Sequence, residues 1–218
     1  KDLGPARMMV FDEQSGALFV SITKQGKVLG LQDVNQDGVA EQRWEVVEGL
    51  RNPHGLAIRD GFLYIAEEHQ VGRVRLFAER DYEVIIPNLP AGEGHFTRTI
   101  GFGPDPSTGS GQVPSNPSGQ VVKLYLSIGS SCNVCDEADK RRATIMQFNP
   151  DGSGGRIFAK GLRNSVGFVW QPKTKEIWAT DNGRDQIGDD LPPEEINIVR
   201  EGRNYGWPIC YGNKIHDT

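Results

Sequence analysis

The feature that most narrows the fold is a two-strand phrase that occurs four times. An apolar strand is followed by a turn and then by a strand of alternating aromatic and aliphatic residues ending in small or polar ones. The copies run from Met8 to Ile22, His54 to Glu67, Thr99 to Ser127 and Val166 to Thr180. Their matching aromatics, Phe19, Tyr64, Tyr125 and Trp178, lie 45, 61 and 53 residues apart. Weaker strand pairs follow, such as Gly72 to Phe77 with Tyr82 to Ile86, and Ala143 to Asn149 with Gly155 to Phe158. Four strands in roughly 40 to 50 residues is the pattern of a propeller blade. The expectation is an all-β chain, residues 1–218 forming a single propeller domain of about four blades. No strand near Thr218 returns to the first sheet, so the ring is expected to be incomplete at its C-terminal end.

The 27 Gly and 13 Pro fall where this pattern needs turns. Residues 105–120 interrupt the third copy, and 10 of these 16 are Gly, Pro or Ser. Such a composition buries too little apolar surface to fold, so a mobile loop is expected there. The chain has no run of 18 apolar residues, which excludes a membrane-spanning helix. Its net charge of −5 offers no basic footprint for nucleic acid. With no leader visible at Lys1, the reading leaves a cytosolic protein or an already processed one.

Several residues could carry chemistry. His95, in Gly92-Glu93-Gly94-His95-Phe96-Thr97-Arg98, stands just before a blade's first strand, where an imidazole can take a proton at neutral pH. His54, in Asn52-Pro53-His54-Gly55, holds the matching place in the second copy. Arg163-Asn164 holds it in the fourth, and an arginine there can grip a carboxylate or quinone oxygen through its planar fork. For each of these the alternative is an ordinary loop residue paired with a neighbour.

The stretch from Thr180 to Asp190, with Glu194-Glu195, gathers six carboxylates among turn residues, a hard-oxygen set suited to Ca²⁺ or else a solvated acidic loop. Asp33, Asn35, Asp37 and Glu41 supply oxygens at positions 1, 3, 5 and 9 of a loop with Gly38 at position 6. Trp44 stands where an EF-hand has its bidentate acid, so a calcium-stabilised turn and a plain Asn/Asp turn both remain open. Cys132 and Cys135 cannot alone complete a four-thiolate zinc site, and no helix follows to suggest a thioredoxin motif. A local disulfide is the first choice, with Cys210 left reduced, and it implies an oxidising compartment.

Five motifs in register resemble a known family. They are Gly94-His95 through Ile100-Gly101-Phe102-Gly103-Pro104-Asp105, Leu124-Tyr125-Leu126-Ser127-Ile128-Gly129, Gly161-Leu162-Arg163-Asn164, Glu195-Ile196-Asn197, and Asn204-Tyr205-Gly206-Trp207-Pro208. Together they resemble the PQQ-dependent soluble aldose and glucose dehydrogenases. Ser130-Ser131-Cys132-Asn133-Val134-Cys135 and Ala179 to Asp185 are most similar to the L-sorbosone or pyranose dehydrogenase branch.

The resemblance implies a six-bladed propeller when complete, with PQQ at the end of its channel. It implies that His95 is the general base that takes the anomeric hydroxyl proton during hydride transfer. Arg163 and Asn164 match residues beside the quinone oxygens. Gly183 and Arg184 match positions whose carbonyls hold a catalytic Ca²⁺, and Glu195 and Tyr205 match ligands of a structural one. Ser130 stands where glucose dehydrogenases have an Asp that supports the histidine, and Asp136 or Glu137 is expected to substitute. Arg184 replaces a Pro, and the residues that grip the PQQ carboxylates correspond to blades beyond Thr218.

The function expected is PQQ- and calcium-dependent oxidation of an aldose or related aldehyde, with electrons passed to a quinone, dye or cytochrome, in a periplasmic or secreted protein. The alternatives are a non-catalytic propeller that binds a partner and a calcium-dependent lactonase.

Overall fold

The computed structural model describes residues 3–78, 81–104, 122–188, 190–212 and 215–217. The expected 105–120 loop lies outside these described residues. The repeated phrase becomes antiparallel sheet. Strands β1 (Met9–Asp12), β2 (Ala17–Ile22), β3 (Lys27–Gln32) and β4 (Gln42–Val47) form one four-stranded meander in chain order. Strands β5 (Leu56–Arg59), β6 (Phe62–Ala66), β7 (Val71–Arg75) and β8 (Glu83–Ile86) form a second. A third contains β9 (Ile100–Phe102), β10 (Leu124–Ile128), β11 (Thr144–Phe148) and β12 (Arg156–Lys160). Strands β13 (Phe168–Trp170), β14 (Ile177–Asp181) and β15 (Glu195–Val199) make a three-stranded sheet, and β16 (Cys210–Tyr211) pairs with β17 (Ile215–His216). Each meander, with every strand hydrogen-bonded to the next, is the blade of a β-propeller. Among the described residues the one helical element is a 3₁₀ turn at Thr23–Gln25.

Local sequence explains the hairpins. Arg59 pairs with Phe62 across Asp60-Gly61, and both turn residues have positive φ, 50° and 76°, as a two-residue type I′ turn requires. Strand β6 is buried from Leu63 to Ala66 and so reads as a nearly continuous apolar run.

The chain divides into two compact units, Lys1–Ala91 with Phe96–Ile100, and Gly92–His95 with Gly101–Thr218. The first unit's core packs Phe19, Val28, Leu56, Leu63, Ile65 and Val74, with Trp44 edge-on to Phe19. Burying each large apolar side chain contributes about 1.5–3 kcal/mol. The second unit's core packs Ile145, Phe158, Leu162, Phe168, Ile177 and Val199, with Tyr125 edge-on to both Phe158 and Trp170. The four repeated aromatics diverge in burial: Phe19 and Tyr64 are buried, Tyr125 is half-buried, and Trp178 is 41% exposed. Strand β14 explains the last of these, because Ile177, Ala179 and Asp181 point inward and Trp178 and Thr180 alternate outward.

Candidate active site

His95 lies in the turn before β9, as its place in the repeat predicts. Gly94 (φ +73°) lets this turn press against the segment after β10, where a Cβ would meet the Ser130 carbonyl at 2.5 Å. The close approach gives two bonds: the His95 amide donates to Ser130 O at 3.0 Å, and His95 Nδ1 lies 3.1 Å from the same oxygen. Ser130 Oγ is 3.0 Å from Nδ1 and donates its own hydrogen to Cys132 O at 2.7 Å. Both Ser130 oxygens therefore act as acceptors toward the imidazole. The proton sits on Nδ1, and Nε2 carries the lone pair. Burial lowers the His95 pKa below its usual 6.5, the Arg163 charge lowers it further, and the Ser130 carbonyl opposes both. The ring is neutral at pH 7.

The support expected from Asp136 or Glu137 comes instead from Ser130 itself. Glu137 is buried but engages the neighbouring Ser131, accepting from its amide at 2.6 Å and its hydroxyl at 2.7 Å, while Asp136 is exposed.

Asn164 and Arg163 join His95. Gly129 separates two of them: a Cβ there would come within 2.7 Å of His95 Cβ and 2.8 Å of Asn164 Oδ1. Arg163 is buried, and its five N–H donors meet five acceptors. Nε donates to Asn133 O at 3.0 Å, and Nη1 to Asn182 O at 3.2 Å and Gly183 O at 2.5 Å. Nη2 donates to Asn133 Oδ1 at 2.9 Å and Asp185 Oδ2 at 3.0 Å. Of these partners the Asp185 side chain is 77% exposed, so its place is the one a ligand oxygen can take. Beneath the main chain, Asp181 accepts from the amides of Arg163 at 2.9 Å and Asn164 at 2.7 Å, which fixes the turn before β13. Burial pushes the Asp181 carboxyl up to about 7 against those two bonds.

His54 belongs to a different setting. It is 1% exposed, its Nδ1 lies 3.2 Å from Arg98 O, and burial lowers its pKa to about 4. Ser21 Oγ donates to its carbonyl at 2.9 Å, so the residue ties β2 to the turn before β5.

Gly183, Arg184, Glu195 and Tyr205, expected at two calcium sites, line one cavity of about 20 Å³, enough for one water or one ion. Arg184 pairs with Asp217 on its wall. Glu195 accepts from Gly212 N at 2.6 Å and Asn197 Nδ2 at 3.0 Å. The Tyr205 hydroxyl is engaged elsewhere, donating to Ile198 O and accepting from Arg200 N. In the first unit, carboxylate oxygens of Asp33, Asp37 and Glu41 lie within 4.8 Å of one another. They and Asn35 accept backbone amides of their own loop: Asp33 from Gly38 N, Asn35 from Asp37 N, and Glu41 from Val34 N. Cys132 and Cys135 form the expected disulfide, and Cys210 is a free thiol.

Repeat reasoning missed Asn133, which meets Arg163 through both its carbonyl and its side chain. Its position between the two cysteines was the available signal.

The profile of the TrAA12-like family matches residues 1–216. A pyrroloquinoline quinone-dependent sugar dehydrogenase of Hypocrea jecorina (strain QM6a) is 26% identical over 242 residues, 94% of this chain and 53% of the relative. Aldose sugar dehydrogenase YliI of Escherichia coli (strain K12) is 36% identical over 102 residues, 40% of this chain and 26% of the relative. The chain thus spans about half or less of these curated relatives. The iodide structure of Trichoderma reesei carbohydrate-active enzymes family AA12 superposes with a TM-score of 0.75 at 25% identity, covering 96% of this chain and 57% of that one. The PQQ-bound aldose sugar dehydrogenase of Streptomyces coelicolor shares the fold at a TM-score of 0.71 and 21% identity, over 99% and 67%. With motifs, blades and a profile spanning nearly every residue in agreement, the chain belongs to the TrAA12-like family.

Proposed function

We propose that this chain carries the base and charge-bearing part of a PQQ- and calcium-dependent dehydrogenase that oxidises an aldose or related aldehyde. The carrying observation is the Ser130 contact that holds the proton on Nδ1 and leaves the lone pair on Nε2, while burial and the Arg163 charge keep the ring's pKa below its usual value. The relatives named as sugar dehydrogenases support the substrate class. The site fits both groups. Arg163 holds the exposed Asp185 carboxylate through Nη2, a place an anionic ligand oxygen can take, and the cavity of about 20 Å³ is lined by Glu195, Gly183 and Tyr205, oxygen-bearing residues suited to a hard cation, beside Arg163 and the Arg184–Asp217 pair. When bound, PQQ supplies the acceptor for hydride and Ca²⁺ a Lewis acid.

The chain's own residues do the rest. His95 Nε2 takes the proton of the substrate hydroxyl, and Nδ1–H stays on Ser130 as the imidazolium forms. Asn164, whose Oδ1 packs against Gly129 beside His95, orients the substrate next to that base. Arg163 and the buried Arg142, which lies 3.4 Å from Gly129 O, supply fixed positive charge toward developing negative charge. The acceptor beyond this site is a quinone, dye or cytochrome. The Cys132–Cys135 disulfide supports a periplasmic or secreted location.

The test is dye-coupled aldose oxidation by the full protein reconstituted with PQQ and Ca²⁺. Turnover that needs both and disappears on chelation is expected. Lactone hydrolysis without PQQ would replace this reading with the hydrolase.

A further inference from the structure

The segment closed by the Cys132–Cys135 disulfide does more than cap β10. Asn133, at its tip, is a junction for three distant parts of the chain. Its carbonyl accepts from Arg163 Nε at 3.0 Å and from the Trp207 indole at 3.3 Å. Its side-chain Oδ1 accepts from Arg163 Nη2 at 2.9 Å and from the Asp185 amide at 2.8 Å, while Nδ2 donates to the Asp185 carbonyl at 2.9 Å. The partners are 30, 52 and 74 residues away in sequence. One amide side chain thus reads both backbone groups of Asp185, as a strand partner would, and orients the guanidinium that faces the same loop.

From this geometry we infer that Asn133 is a positioning residue, which sets the plane of the Arg163 guanidinium and docks the loop after β14 onto it. The inference rests on the proposed role of Arg163 for its effect on turnover, and on contacts alone for its effect on the loop. Two of the five donors of Arg163 end on Asn133, through Nε and Nη2, and these two define the guanidinium plane. The disulfide keeps the tip of the loop in place. Ser131, held by Glu137, anchors its near side.

Three variants of the full protein test this, each studied cofactor-free and loaded with PQQ and Ca²⁺. Asn133→Ala removes every side-chain bond. Asn133→Asp keeps the Oδ1 acceptor for Arg163 and for the Asp185 amide. Arg163→Lys removes the fork that Asn133 orients.

In the cofactor-free protein, Asn133→Ala is expected to speed exchange of the Asp185 amide and of the Arg163 Nη2 protons while leaving the thermal midpoint nearly unchanged. Asn133→Asp is expected to restore much of the protection. In the loaded protein Asn133→Ala should lower kcat by about 10- to 100-fold, the range seen when outer supporting partners are removed. KM should change less than kcat. In the Arg163→Lys background the same substitution should cost little more, because the two act as one unit.

Unchanged exchange at Asp185 and Arg163 in Asn133→Ala would overturn the inference, as would losses that multiply in the double variant. If Arg163→Lys alone leaves turnover intact, the functional reading of Arg163 falls, and the exchange data on cofactor-free protein still decide the role of Asn133.

Discussion

His54 and His95 occupy matching places, each in the turn before the first strand of a blade, and each sets Nδ1 against a main-chain carbonyl. From there they differ. His54 is buried, which lowers its pKa to about 4, and its Nδ1 meets Arg98 O. His95 is half-buried, gains a hydroxyl from Ser130, and shares its surroundings with Arg163, Asn164 and Gly129. One repeat position serves the core in the first unit and, in the proposed function, chemistry in the second. What differs is burial: the His54 ring is closed off from solvent and the His95 ring is not.

The largest expected effect separates the two histidines by kinetics. His95→Ala in the full, reconstituted protein should lower kcat by roughly 100-fold or more, since general-base catalysis contributes about 10²–10⁴. His54→Ala should leave turnover per folded molecule near wild type. Steady-state rates normalised to active-site titration measure both, and equal losses would erase the distinction.

Next comes stability. The folded His54 binds its proton only near pH 4, whereas an unfolded histidine does so near 6.5. Between these values the unfolded chain holds more protons, so the stability present above pH 6.5 is lost as the pH falls toward 4. The full shift corresponds to about 3 kcal/mol, and His54→Gln should flatten that part of the urea-denaturation profile.

A smaller effect sharpens the His95 side. Its imidazole should titrate below 6.5 in cofactor-free protein, and Arg163→Gln should move the midpoint upward. Because burial is the larger cause, only part of the shift should vanish. Imidazole NMR over pH measures it; a midpoint unmoved by Arg163→Gln would separate the two groups.

The smallest effect is on the disulfide. Cys132 and Cys135 close a loop of so few residues that their bond adds less than the roughly 3 kcal/mol of a 15-residue loop. Reduction should shift the melting midpoint little and raise amide exchange locally around Asn133. A global loss of structure on reduction would contradict this.

The blades were legible because strand alternation and turn residues are local. Asp60-Gly61 announces its hairpin, and Phe19 and Tyr64 announce the strands that bury them. The disulfide was legible in the spacing of Cys132 and Cys135, and the meeting of His95, Arg163 and Asn164 through repeat position and motif resemblance. What stayed hidden depends on contacts far apart in sequence. Nothing near His54 reveals that Arg98 closes over it, and nothing in Ser130 says that its carbonyl, more than its side chain, sets the histidine tautomer. The four residues expected at two calcium positions converge on one cavity because β15 and the segment leading to β16 bring Glu195 and Tyr205 to Gly183.

The five bonds of Arg163 have a consequence for the energetics of change. A free guanidinium in water is surrounded by dipoles that must turn whenever charge appears nearby, and that turning is a large part of a reaction barrier. Here the acceptors are carbonyls of Asn133, Asn182 and Gly183, already aimed when the chain folds. The reorganisation was completed during folding, so in the proposed reaction charge forming beside His95 would meet an environment that hardly has to move.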